Sequence, residues 1–182
     1  LFAINRETGE PLFKIEERAV PASDVPGETA AKTQPFPVAP PPLVTQTALT
    51  PDGAWGLTPI DRASCARKLQ GRRSEGIYTP PSLQGTVEYP SYAGGSDWGG
   101  LAFDPVRQLA FVNTNNIAAL VRLIPRDQVT AENRGSFPGL SEQRGTPYMM
   151  SREVLTSFLG LPCSPPPWGR LAAIDMTNGT IK

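Results

Sequence analysis

The chain has no histidine in its 182 residues. This removes Ser-His-Asp and Cys-His catalysis, and any His-ligated metal, from the chain taken alone. Cysteine is scarce as well. Cys65 and Cys163 stand far apart and form no CxxC pair, which excludes a zinc ribbon and a thioredoxin-type motif. Neither sign of charge is in excess, with 17 Lys plus Arg against 17 Asp plus Glu. No overall field therefore draws the chain to nucleic acid or to an anionic membrane. No apolar run approaches the roughly 20 residues that span a bilayer. No signal peptide is visible, and the first residue is Leu1 rather than Met. The chain opens inside a strand-like run, Leu1-Phe2-Ala3-Ile4, so a piece of a longer protein is expected. What is abundant is proline and glycine, 21 and 17 residues, which points to turns and long loops rather than long helices.

The organising stretch is residues 94–116, GGSDWGGLAFDPVRQLAFVNTNN. Two short apolar runs, Leu101-Ala102-Phe103 and Leu109-Ala110-Phe111-Val112, flank a segment that opens Asp104-Pro105. This reads as an antiparallel strand pair, with Asp bonding its downstream backbone and Pro presetting the turn. The glycines ahead of the first run allow a sharp bend or a close backbone approach. Residues 1–15 read as strand, turn, strand, with Gly9 suited to positive φ. Residues 171–182 repeat that hairpin: Leu171, Ala173, Ile174 and Gly179 fall on Leu1, Ala3, Ile4 and Gly9, and Asp175 falls on Asn5. Recurrence of one hairpin marks a repeat architecture, here with a long insertion between the copies.

Within that insertion, residues 34–43 must be extended because of their prolines. They read either as a loop pinned across a β surface or as a polyproline ligand. Residues 61–71 predict a short helix, capped by Asp61, stapled by Ile60 and ended by Gly71. Arg62, Arg67, Lys68, Arg72 and Arg73 make a basic cluster, read as a solvated face or as a contact for an anionic partner. Residues 86–89 alternate as a strand, and 117–125 is a short strand or a buried loop. Residues 126–147 read as a surface loop. Residues 151–159 predict two helical turns, capped by Ser151 and stopped by Gly160.

Taken together, the twin hairpins and the central stretch resemble the quinoprotein alcohol and sugar dehydrogenases. Blades in that family close with Ala-x-Asp-x-x-x-Gly-x-x-x-Trp. The first copy here runs from Ala3 through Asn5 and Gly9 to Phe13, with Asn for Asp and Phe for Trp. The second runs from Ala173 through Asp175 and Gly179 to Lys182, one residue short of the Trp. TQPF (33–36), WGLTPID (55–61), EGIYTPPSLQGT (75–86), DWGGLAFDP (97–105), RLIPR (122–126), RGTPY (144–148) and LGLPC (159–163) resemble the membrane-bound glucose dehydrogenase branch, in order.

The resemblance implies an all-β fold: a fragment, about one to two blades plus long loops, of an eight-bladed β-propeller, with short helices in its insertions. Residues 1–15 would be the closing hairpin of one blade, 16–93 a long insertion, and 94–182 most of the next blade. It implies pyrroloquinoline quinone with a divalent cation, calcium in most relatives. A sugar or polyol would give hydride to the quinone, and ubiquinone would take the electrons. The location would be periplasmic, with membrane attachment through parts outside this chain and no nucleic-acid partner.

Three residues carry over as cofactor contacts. Asn113 matches an asparagine that hydrogen-bonds the cofactor, the alternative being a strand-end amide serving local backbone. Trp98 matches an aromatic facing the propeller axis, the alternative being blade packing. Asp97 stands where relatives carry Asn or Glu, the alternative being a turn residue. The family's catalytic carboxylate, its cofactor-binding lysine and its main metal ligands would all lie upstream, so no catalytic or metal residue is assigned here and the piece alone should be inactive. Cys65 and Cys163 match cysteines in relatives and are either a disulfide or two buried thiols. A lone blade exposes apolar sheet, so the chain should need neighbouring sequence or a second copy of itself. The alternative function is a non-catalytic propeller used as a docking scaffold in the bacterial envelope.

Overall fold

The computed structural model describes residues 1–96 and 99–182. In chain order the elements are β1 (Ile15–Ala19), β2 (Thr33–Pro37), α1 (Pro59–Leu69), β3 (Thr86–Glu88), β4 (Ala102–Asp104), β5 (Leu109–Asn115), β6 (Ala119–Pro125), β7 (Ser141–Glu142), β8 (Tyr148–Val154), β9 (Gly169–Asp175) and β10 (Thr180–Ile181). Three short 3-10 turns interrupt the loops. The fold is therefore mainly antiparallel β, with one α-helix among the described residues.

One four-stranded sheet has the order β10-β9-β5-β4. Its centre is the seven-residue pairing of β5 with β9, from Leu109 opposite Asp175 to Asn115 opposite Gly169. The predicted pair of strands is present as β4 and β5. Asp104 makes the turn as its chemistry requires: Oδ1 accepts from Val106 N at 2.9 Å and Arg107 N at 3.0 Å. Residues 116–168 are inserted between β5 and β9. They build most of a second four-stranded sheet, β3-β6-β8-β7, to which β3 comes from ahead of the first sheet.

The larger core lies under this second sheet. Leu49, Ala54, Cys65, Leu69, Val87, Leu120, Leu155 and Cys163 pack between the sheet and α1. Cys65 is disulfide-bonded to Cys163, both fully buried, which decides between the two readings of these cysteines. The first sheet has a smaller core, Ala110, Val112 and Ile174 on one face, against Leu43 and Met176. Its other face, carrying Phe111 and Leu171, is open to solvent.

Both repeat hairpins use the same turn. Asn5 Oδ1 accepts from Glu7 N, and Asp175 Oδ1 accepts from Thr177 N. Gly9 and Gly179 close the turns at φ +77 and +73. The first hairpin is short, with a single bridge between Ile4 and Pro11. The two copies meet in space, because the Phe13 ring lies against Gly179.

Several expectations change. Residues 151–159 are not helical: Tyr148–Val154 forms β8, paired residue for residue with β6. A helix of two turns is marginal alone, and a seven-residue strand pairing outweighs it. α1 begins two residues before the expected helix, and Thr58 caps it, its Oγ1 accepting from Asp61 N at 3.1 Å. Asp61 sits inside the first turn, fully buried, its Oδ2 accepting from Leu57 N at 3.0 Å. Ile60 is helical and exposed, so it staples nothing. Gly71 follows the helix at φ +71 as expected.

The proline-rich segment is engaged within the chain. Thr33–Pro37 pairs with β1 in a two-stranded sheet, and Phe36 stacks edge-on against Tyr78 at 5.5 Å. Bonds from Val38 N to Lys14 O and from Val20 N to Lys32 O place Pro35 and Pro37 at positions that need no donor. The segment is thus not a free polyproline ligand. The basic cluster is likewise mostly structural. Arg62 donates to the Ala54 and Asp52 carbonyls, Arg72 to that of Gln84, and Arg73 to that of Ala22.

Candidate cofactor-facing site

The site is built at the end of β5. Burial alternates along the strand, with Ala110, Val112 and Thr114 inward and Phe111 and Asn113 outward. Asn113 therefore stands on the open face, opposite Leu171. Its amide makes no hydrogen bond among the described residues, so the local-backbone alternative finds no partner there. A Cβ placed on Gly99 would lie 3.8 Å from Asn113 Oδ1, so the loop leading into β4 passes beside this amide. Asp97 and Trp98, the other two predicted contacts, lie outside the described residues.

The start of the same loop is fastened by Asn115 and Asn116, which sequence reasoning did not single out. Asn115 N donates to Gly95 O at 2.7 Å, and its Nδ2 donates to Gly94 O at 2.5 Å. Its Oδ1 is buried with no donor among the described residues. Asn116 Nδ2 donates to Tyr89 Oη at 2.8 Å and Thr45 Oγ1 at 3.0 Å, while Oδ1 accepts from Thr45 N at 3.1 Å. The signal available in the sequence was a run of amides, NTNN, at the end of a strand whose outward positions are otherwise apolar.

A cavity of about 480 Å³ opens on the inward side of β5. Gly95, Ser96 and Gly100 from the loop, Val112 and Thr114 from β5, and Phe36 contribute to its wall. Among the described residues no charged side chain lines it. A tricarboxylate such as pyrroloquinoline quinone would meet walls there, but no counter-charge from the described residues. Asn113 faces away from this cavity, so the part of a quinone site that the residues present fit lies on the open face: Asn113 as a two-way amide, with Gly99 of the loop as backbone beside it. Among the described residues no group of three His, Cys, Asp or Glu is placed to hold a metal.

Glu88 is a second residue that sequence reasoning passed over. It lines a small cleft with Tyr78, Thr79, Tyr89, Ser91 and Gly94. Burial raises its carboxyl above its ordinary 4.5, and the nearby Arg152 guanidinium opposes this without cancelling it. Arg152 in turn stacks on Tyr92, 5.1 Å from the ring centroid. A carboxyl with a raised folded value favours the fold in its protonated state. That contribution is full below the ordinary value and is lost as pH rises through the folded one. Glu88→Gln should therefore match the parent's Tm near pH 4 and exceed it by about 1–3 °C at pH 7. A variant equally stable, or less stable, at pH 7 would overturn this account of Glu88.

Comparisons with known proteins bear on the family of the chain. Glucose/ethanol/alcohol dehydrogenase, the β-propeller domain that takes pyrroloquinoline quinone, matches residues 1–182. The quinate/shikimate dehydrogenase (quinone) of Acinetobacter baylyi is 36% identical over 187 residues, covering 99% of this chain and 23% of that protein. The quinoprotein glucose dehydrogenase of Escherichia coli is 33% identical over 194 residues, covering 100% and 23%. The glycerol dehydrogenase large subunit of Gluconobacter thailandicus is 33% identical over 195 residues, covering 98% and 26%. The chain spans about a quarter of the length of these relatives. No solved structure matches. With its β4-β5-β9-β10 sheet, its paired closing turns and a match along its whole length, the chain belongs to the pyrroloquinoline-quinone glucose/ethanol/alcohol dehydrogenase family and forms part of that family's β-propeller.

Proposed function

We propose that the protein carrying this chain is a dehydrogenase of a sugar or polyol that uses pyrroloquinoline quinone. The observation that carries the reading is the family match over residues 1–182, joined to the Asn113 amide on the open face of the sheet, which makes no hydrogen bond among the described residues. When bound, the quinone supplies the hydride acceptor, and the protein supplies placement and charge control. Asn113 would hold a cofactor oxygen or carboxylate by its N–H while its carbonyl accepts a proton-bearing group. Asp97 and Trp98 extend this contact, the tryptophan as a wall or an N–H donor. The loop glycines let backbone approach where side chains would intrude.

A divalent cation, calcium by resemblance, would neutralise cofactor charge through residues outside this chain. Ubiquinone is the proposed electron acceptor, a reading in keeping with relatives whose names carry the word quinone. A periplasmic location is supported by the disulfide. No helix among the described residues is long and apolar enough to cross a membrane, so membrane attachment is assigned to other parts of the protein. The chain by itself is inactive in this reading. It self-associates through the open face bearing Phe111 and Leu171.

The test is to titrate the whole protein with pyrroloquinoline quinone and calcium, then to follow dye reduction with glucose, glycerol and quinate. Saturable binding with turnover of at least one of the three is expected. A protein that takes up no quinone would overturn the reading.

A further inference from the structure

We infer that Asn115 and Asn116 form a two-sided clamp that positions the 94–100 loop, and that quinone affinity depends on it. The inference rests on the function proposed above. Consecutive residues at a strand end point to opposite sides. Asn115 holds the loop directly, its side-chain Nδ2 donating to the Gly94 carbonyl and its backbone N to the Gly95 carbonyl. Asn116 uses the other side to grip Thr45 with both ends of its amide, and the Tyr89 hydroxyl with its remaining N–H.

That second grip returns to the same glycines. Val44, next to Thr45, packs on Gly95 so closely that a Cβ there would sit 2.7 Å from Val44 Cγ1. Gly95 is thus pinched between Asn115 and Val44, two residues ahead of Asp97. The loop's far end, at Gly99, runs beside Asn113. Within four positions β5 and its next residue thus supply one amide for the cofactor and two for the loop that adjoins it. An aspartate at 115 would set carboxylate oxygens against the Gly94 carbonyl, and an alanine at 116 would leave Thr45 and Tyr89 without the amide that joins them. The two hydroxyls could turn to donate to an aspartate at 116, so removal of the amide is the informative change there. A site held by a misplaced loop loses affinity even when every contact residue is present.

Asn115→Asp and Asn116→Ala test the clamp in the whole protein, with Asn115→Ala as a variant that removes the donor at 115 without adding charge. Two quantities are read. One is amide hydrogen exchange of residues 94–100 in the quinone-free protein, and the other is the dissociation constant for added pyrroloquinoline quinone. We expect exchange in 94–100 to quicken, quinone to bind about tenfold more weakly, and β6 and β8 to exchange as before. Unchanged exchange in 94–100, or unchanged quinone affinity, overturns the inference. So does a loss of affinity accompanied by faster exchange throughout β6 and β8, which would mark a merely structural role. Wild-type protein that takes no quinone overturns the functional reading itself, whereas wild-type binding with unaltered affinity in the variants overturns only the clamp.

Discussion

Reduction of the Cys65–Cys163 disulfide should remove about 4 kcal/mol of folding stability, close to the loop-entropy value of about 4.7 for a 100-residue loop. The bridge joins positions 98 residues apart, so it closes more than half of the chain into one loop. Releasing it restores that freedom to the unfolded state. The two sulfurs also sit in the main core, both fully buried, between α1 and the segment that follows β8. Replacing both by alanine should therefore cost somewhat more than reduction, because a small void is added. Urea unfolding with and without reductant measures the first effect, and the double variant measures the second. A change under about 1 kcal/mol would show that the bridge restrains little, against the expectation for such a loop. A thiol count on unreduced protein should find none.

Gly179→Ala should cost about 3 kcal/mol, from a positive φ that L-residues resist and from overpacking. At φ +73 its added Cβ would come within 2.8 Å of Ala39 Cβ and 3.3 Å of the Phe13 ring. Gly9 holds the same place in the other hairpin, at φ +77, with nothing within 4 Å of the added atom. Gly9→Ala should therefore pay for the dihedral alone, about 1 kcal/mol. The Tm losses should be roughly 10 °C and 3 °C respectively. Equal losses at the two positions would mean that crowding by Ala39 and Phe13 contributes nothing, and that the turn geometry explains both.

Much of this architecture was legible residue by residue. Asp104-Pro105 between two apolar runs named the β4–β5 turn because both residues act within their own neighbourhood. The twin hairpins were legible for the same reason, since Asn5 with Gly9 and Asp175 with Gly179 form self-contained turns. What was misread depends on distant chain. Ser151-Arg152-Glu153-Val154 carries a helix-start pattern, and only its register with β6 makes it a strand. Asp61 was read as the cap, and Thr58, which takes that place, was not singled out. What decides is where Leu57 and the loop after β8 come to lie. Ser157 and Leu159 from that loop, with the Leu57 amide, offset the burial of Asp61 and hold its carboxyl below its ordinary value. Asn113 was suggested by resemblance, whereas Asn115 and Asn116 became visible only when Gly94, Gly95 and Thr45 were placed around them.

The insertion between β5 and β9 has a consequence for the order in which the protein is made. A ribosome finishes β5 at Asn115, but its partner strand begins only at Gly169. β3 has already been made by then, and in the interval β6, β7 and β8 emerge, so that the four strands have the means to pair among themselves. The sheet named for the propeller is therefore the last to close during synthesis, over a sequence gap that slows pairing. The inserted sheet, with α1 and the larger core, is the body already standing when Gly169 arrives. Nascent chains halted before that residue should already protect the β6 and β8 amides while β5 still exchanges freely.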